Sequence, residues 1–461
     1  MRRVDRSRPL TTAPHRGAQL ITVASILIGL VACVPQPPPP NVVLIVLDTV
    51  RADGVGGKVN GHAVTPHLDR LATTGLRFDS AYATAPWTLP SHATLFTGLA
   101  PSQHRAVHER FVLANHYTTL AEHLKEKGFA TYGVTSNPWV TKGRGLAQGF
   151  AAFEAAYAGA EAASDKGAAR ASDLAVRFIE AAANTEQPFF LFVNYLEAHL
   201  PYAPPDEGLL ALGVNSADLL RREYTIGEAE EIITSARAAS DDELALARLL
   251  YQCEIAYQDQ QLGRVFEALE AQQLLDNTLV IVTADHGEHL GAGNMTGHEF
   301  SLADDVLQVP LIVRLPGLYD SGAISSTPVS HLDIVPTVLD AVGDEAAPEL
   351  LDGTSLRALE ESDGRDRALI AEYSEPVTLI NDYWGSRHPD FDASNFAVSL
   401  SSLRRGQVKL IANTRGEMGL FNHGLPATDS DRESIGKEMY AELEAWTKRL
   451  KESAPSSDSH P

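Results

Sequence analysis

Cysteine is scarce in this chain: its 461 residues include two, Cys33 and Cys253. A disulfide scaffold is thereby excluded. Cationic residues are also short, with 37 Lys and Arg against 60 Asp and Glu and a formal net charge of −23. A surface of that sign is repelled by phosphate backbones, which argues against nucleic acid as a partner. It does not bar an anionic substrate, because a local cationic or metal site can reverse the field. Long apolar runs are missing too. The stretch Leu20–Ala32, LITVASILIGLVA, falls short of the roughly 20 residues that cross a bilayer. No internal repeat is visible. What is present is an ordinary globular composition, 44% hydrophobic and 21% charged, on a chain long enough for one large domain and a smaller one, or for two to three modest ones.

The N-terminus reads as a targeting segment. Arg2, Arg3, Arg6, Arg8 and Arg16 precede the apolar stretch, and LVAC closes it. This ending resembles a bacterial lipoprotein signal, cleaved before Cys33, whose thiol then carries the lipid. An ordinary secretory signal or a short anchor helix are the alternatives. PQPPPP follows as a stiff spacer (Pro35–Pro40). Val34 after Cys33 favours, by the same resemblance, export to the outer membrane, facing the periplasm or the cell surface. With Cys33 lipidated, Cys253 stands alone in a helical stretch and reads as a packed thiol. The expected organisation is a signal peptide at 1–32, a lipidated Cys and linker at 33–40, a catalytic domain at 41–345, a C-terminal subdomain at 346–452 and a polar tail at 453–461.

Three apolar runs end in polar residues: Asn41–Thr49 ending at Asp48, Gln187–His199 ending near Glu197 and His199, and Asn277–Glu288 ending at Asp285 and His286. Runs apolar on both faces suit buried strands of a mostly parallel sheet. Helical patterns lie between them, at Thr118–Lys127, Ala168–Ala183 and Asp241–Gln272. The alternation predicts a layered α/β domain, and ligands of such sheets bind beyond the carboxyl ends of strands. After Gly343 the character changes. A turn at Leu351–Leu356, short strands at Ala368–Tyr373 and Leu403–Ala412, and an amphipathic helix at Ser434–Glu452 predict a small α+β appendage.

Asp48, Asp285 and His286 are candidate metal ligands, two hard oxygens and one imidazole nitrogen for a divalent cation. A turn-forming Asp and an N-cap are the plainer readings of each alone. Thr88 sits in APWTLPSHATLFTG, where Pro90 suits the first turn of a helix. A hydroxyl there either caps the helix or, beside a metal, becomes a nucleophile. His199 and His298 could bind a substrate oxyanion or a second metal, or be structural.

These segments together resemble the sulfatase family of the alkaline phosphatase superfamily over about Asn41 to Leu356. PNVVLIVLDTVRADGVG resembles its first strand and metal loop, and TPHLDRLATTGLRFDSAYATAPWTLPSHATLFTG its nucleophile segment. NYLEAHLPYAPP is similar to the substrate-binding His segment, and DNTLVIVTADHGEHLG to the last metal segment. The resemblance implies an alkaline-phosphatase-like αβα sandwich with a mostly parallel sheet and a small C-terminal antiparallel-sheet subdomain. It implies one divalent metal (Mn, Zn, Ca or Mg) held by Asp48, Thr88, Asp285 and His286. It also implies catalysis by Thr88, His199 and His298, with His199 and His298 on the substrate. His92 stands where the family carries Arg, and the family's Gly-Lys-Trp-His segment has no good match; by position alone His92 and Asn137, in SNPWV, are assigned to the substrate. A second metal could use Glu197, His199 and His298.

The chain departs from the family at its nucleophile. Family members carry Cys-x-Pro-Ser-Arg or Ser-x-Pro-Ser-Arg, whose first residue becomes formylglycine; here the residues are Thr88, Leu89, Pro90, Ser91 and His92. Thr is not oxidised by that maturation, so no formylglycine is expected. A sulfated formylglycine hydrate collapses to an aldehyde, and a sulfated Thr has no such route. A phosphorylated Thr can be cleaved by displacement at phosphorus. Thr49 also follows Asp48 where relatives carry a second acidic ligand. The expectation is therefore a metal-dependent hydrolase of sulfate or phosphate esters, inclined to phosphodiester or phosphoryl-transfer chemistry. The alternative is an inactive relative that binds sulfated or phosphorylated glycans at the cell surface.

Overall fold

The computed structural model describes residues 39–157, 165–219, 221–344, 351–362, 364–422 and 424–453. The expected signal peptide, Cys33, most of the linker and nearly all of the polar tail lie outside these residues. Among the described residues no helix is long and apolar enough to cross a membrane.

The three apolar runs form the centre of a nine-stranded sheet. Asn41–Leu47 lies between Phe189–Tyr195 and Thr278–Thr283 and is parallel to both. Every residue of these three strands is buried, which their β-branched and aromatic composition permits on both faces. Ala130–Thr135 and Ala152–Ala155 extend the sheet in parallel beyond Phe189–Tyr195. On the other side come Gln308–Arg314, Leu76–Tyr82 and Ala323–Ser325. Gln308–Arg314 runs antiparallel to both its neighbours, and the other strands share one direction. The predicted helices are present at Leu120–Glu126, Ala168–Ala183 and Asp241–Ala271.

The described residues from Pro39 onward form one compact unit, in which a second, antiparallel sheet follows the main one. Its order is Ala368–Tyr373, Leu400–Arg405, Val408–Asn413, Met418–Asn422 and Leu425–Pro426, and the helix Asp429–Ser453 follows in sequence. The single strand predicted over Leu403–Ala412 is instead a hairpin. Gly406, at φ 51°, turns the chain between two strands. The two sheets are tied by Lys409 and Arg404 on Asp304, with Lys409 Nζ 2.8 Å from the carboxylate, and by Glu372 N–H donating to Thr84 O at 2.9 Å. The mostly parallel sheet with flanking helices and the antiparallel C-terminal sheet match the expected architecture.

Candidate active site

Strand register builds the site. Val46 pairs with both Asn194 and Thr283, and Asn194 pairs with Thr135. Asp48, Asp285 and Asn137 each lie two residues beyond this common rung, so the shared direction of the strands delivers all three at one level of the carboxyl edge. The Leu76–Tyr82 strand ends at the same edge and leads into the helix Thr88–Thr97.

Asp48, Asp285 and His286 are fully buried, with ligand atoms all within 4.8 Å of one another. Asp285 Oδ1 accepts the backbone N–H groups of Thr49 (3.2 Å) and His286 (2.9 Å). His286 Nδ1 donates to Gly287 O at 3.0 Å, which leaves the lone pair on Nε2 free. Among the described residues Asp48 Oδ1, Asp285 Oδ2 and His286 Nε2 have no hydrogen-bond partner. Burial and the neighbouring carboxylate raise Asp48 to about 7, and burial raises Asp285 to about 7. Two carboxylates left facing each other in a dry site cost several kcal/mol unless a positive charge compensates them. The donor set, two oxygens and one imidazole nitrogen, fits a divalent cation. Gly287 is required by close packing, since a Cβ there would lie 2.2 Å from Asp305 O.

Thr88 is the first residue of its helix, and Trp87 occupies the cap position without a side-chain cap bond. Thr88 is 4% exposed. Its Oγ1 receives Asn137 Nδ2 at 3.4 Å, and the same amide donates to Asp48 Oδ2 at 2.6 Å. The hydroxyl is thus linked through Asn137 to the Asp48 carboxylate. Ser91 Oγ, between Ala85 O (3.1 Å) and Asp285 O (2.7 Å), locks this helix start to the Asp285 loop.

The remaining histidines divide. His199 and His298 come together with ring centroids 5.1 Å apart, and His298 lies 4.4 Å from the His286 ring. His199 Nδ1 donates to Leu200 O at 2.6 Å, and His298 Nδ1 is 2.9 Å from Glu288 Oε1. Each Nε2 is therefore an acceptor while the ring is neutral and a donor once protonated. Burial lowers the pKa of both rings. They are suited to moving protons more than to acting as fixed cations. His92 differs from its expected place on the substrate. Its ring is fully buried against Phe192 and Phe96, with Nδ1 2.9 Å from Thr88 O and 3.5 Å from Asp285 Oδ2. It supports the nucleophile turn from behind, and burial keeps its pKa low.

Glu197 does not join a second metal set. Its carboxylate accepts Ala168 N–H at 2.8 Å, at the start of the Ala168–Ala183 helix, and Leu196 N–H at 3.2 Å. Among the described residues the only cluster suited to a metal is the Asp48 triad. The carboxylate that does face the histidines is Glu288, two residues after His286, which sequence reasoning left without a role. Burial raises it to about 7. An aromatic wall was also missed. Trp87 stacks on His108 at 4.3 Å and meets Trp139 edge-on at 6.0 Å. Trp139, whose backbone N–H donates to Asn137 Oδ1 at 2.7 Å, is 38% exposed. The Arg144 guanidinium lies 4.3 Å from the Trp139 ring centroid. The segment SNPWV was the available signal.

Comparison with known proteins agrees with this geometry. The sulfatase family model matches residues 40–344. The sulfatase YidJ of Escherichia coli K12 is 29% identical over 365 residues, covering 70% of this chain and 72% of that protein. The multifunctional alkaline phosphatase superfamily protein PehA of Trinickia caryophylli is 28% identical over 395 residues, covering 68% of this chain and 76% of its own length. A phosphonate monoester hydrolase from Silicibacter pomeroyi shares the fold with a TM-score of 0.70 at 22% identity, covering 91% of this chain and 96% of that one. The family model spans well over half of the 461 residues, and the strand-end site sits within it. The chain belongs to the sulfatase family of the alkaline phosphatase superfamily and is a sulfuric or phosphoric ester hydrolase.

Proposed function

We propose that the chain cleaves a phosphate ester, a phosphodiester in preference, with Thr88 as the attacking nucleophile and without formylglycine. The observation that carries this reading is the placement of Thr88 Oγ1, which caps nothing and shares the Asn137 amide with Asp48. A divalent ion held by Asp48, Asp285 and His286 would supply Lewis-acid polarisation and a more acidic hydroxyl. The chain's own residues do the rest. Thr88 Oγ1 forms a bond to phosphorus as the bond to the leaving oxygen breaks. One of the two facing histidines, His199 or His298, takes the hydroxyl proton on Nε2, and the other gives a proton to the leaving oxygen. Water then attacks the phospho-threonine as its bond to Thr88 Oγ1 breaks; the water proton passes to the ring that donated, and the ring that took the Thr88 proton returns it to Oγ1. Asn137 Nδ2 holds the nucleophile's oxygen and donates to charge that develops beside it.

The leaving group departs past Trp139 and Arg144, which present an aromatic face and a cation at the mouth. Similarity to PehA, a multifunctional alkaline phosphatase superfamily protein by name, supports activity on more than one substrate. Location is proposed on the Leu20–Cys33 pattern alone: labelled palmitate would be incorporated by the chain and lost in Cys33→Ser.

The test compares turnover of an aryl sulfate, an aryl phosphate monoester and an aryl phosphodiester with Mn²⁺ or Zn²⁺ present, beside Thr88→Ala. The reading expects a phosphate substrate to be turned over fastest and Thr88→Ala to abolish it. Preference for the sulfate would contradict it.

A further inference from the structure

We infer that Tyr251 is a positioning residue for the metal triad and acts through the backbone of Thr49. Thr49 follows the ligand Asp48 and has φ 59°. A β-branched residue in the left-handed region is strained and persists only where its surroundings hold it. The holding contacts are visible. Tyr251 Oη donates to Thr49 O at 2.9 Å and accepts Arg51 N–H at 2.9 Å, so one hydroxyl staples the turn on both sides. Thr49 Oγ1 donates to Asp48 O at 2.8 Å. Tyr251 is 2% exposed, is rooted in the long helix Asp241–Ala271, and is braced by the Tyr202 ring at 5.5 Å.

The strained conformation has a use. It aims Thr49 N–H at Asp285 Oδ1, and together with His286 N–H this fixes the carboxylate so that Oδ2 carries no hydrogen bond and faces His286 Nε2 at 3.4 Å. Without the Tyr251 hydroxyl, Thr49 O and Arg51 N–H lose their shared partner, and Thr49 can return to ordinary backbone. Asp285 then loses one of its two orienting donors, and the position of Asp48, one residue away, is no longer fixed by the turn. Groups that orient ligands in this way alter metal affinity about 10- to 100-fold when removed. The inference rests on reading the triad as a metal site and is independent of the phosphoryl chemistry.

The experiment is a double-mutant cycle on metal affinity. The full chain and its Tyr251→Phe, Thr49→Gly and double variants are stripped with chelator and titrated with Zn²⁺ and Mn²⁺ by calorimetry. Glycine adopts φ near 59° without strain, so it makes the staple redundant. The expected result is about a 10-fold or greater loss of affinity in Tyr251→Phe and a loss below about threefold when the same change is made on Thr49→Gly. An equal loss in both backgrounds would overturn the inference and indicate general damage. Wild-type affinity in Tyr251→Phe would overturn it while leaving the metal reading intact, and absence of metal binding by the wild-type chain would overturn both. A second measurement does not need Tyr251→Phe to fold. Thr49→Gly alone is expected to keep or raise the melting temperature, and Thr49→Val, which stays β-branched, is expected not to raise it. A clear fall for Thr49→Gly contradicts the strain.

Discussion

Asp48, Asp285 and His286 hang from the ends of two central strands and are fully buried, whereas His199, His298 and Trp139 stand on loops and keep part of their surface in solvent. The first group is fixed by register and by backbone N–H groups, the second by local contacts such as Leu200 O, Glu288 and Arg144. On the proposed reading, a buried half that would hold the metal and a more accessible half that would move protons suit an enzyme whose charge stabilisation is permanent and whose substrate contacts vary.

Substitutions can break this division, beginning with the largest effect. Asp285→Ala removes a ligand and the acceptor for two backbone donors, so metal affinity and turnover are expected to fall by more than about 100-fold, beyond the range for supporting groups. Calorimetry and steady-state rates check both. Glu288→Gln leaves the triad intact and weakens the hold on His298 Nδ1. The expected outcome is a kcat loss of about 10- to 100-fold, with metal affinity within about threefold of wild type. Equal loss of metal affinity in the two variants would erase the distinction between the halves.

Changes at the mouth should be milder. Trp139→Ala and Arg144→Gln are expected to raise KM about two- to fivefold for an ester with a bulky ring leaving group, in keeping with an exposed cation–π and stacking contact. A methyl leaving group should show no change, and a kcat effect on both esters would contradict a purely leaving-group role. The smallest effect is on stability. Burial lowers His104 to about 3, and its Nδ1 accepts Ala106 N–H at 3.0 Å, so the folded ring stays neutral. The unfolded chain binds a proton below about 6.5 and the folded chain only near 3, so this ring's contribution is full above pH 6.5 and is lost as pH falls between those values. His104→Asn is expected to flatten the fall in melting temperature between about pH 7 and 5.

Much of the metal half was legible in the sequence, because doubly buried parallel strands read as continuous apolar runs and their polar ends stand out. The adjacent Asp285 and His286 after VIVTA are of that kind. Thr88 became visible only through the family pattern, since a Thr before a helix more often caps it. Glu197 was misplaced because the chain leaves the sheet after Tyr195 in a turn, with His199 N–H on Leu196 O, and strand alternation no longer says where a side chain points. Glu288 reaches His298 by a loop whose path depends on Gly287 passing close to Asp305 O, a contact between distant positions that local pattern cannot reveal. Direction is equally silent: nothing in QVPLIVR marks Gln308–Arg314 as the antiparallel strand.

The central claim is that Thr88 carries the transferred group. The most direct measurement is a rapid acid quench of the metal-loaded enzyme during turnover of an aryl phosphodiester, followed by mass spectrometry of the peptide containing Thr88. The account predicts a phosphoryl-ester adduct on Thr88 that forms in the burst and disappears as substrate is exhausted. Undiminished turnover in Thr88→Ala, or a burst whose adduct lies on another residue, would contradict it.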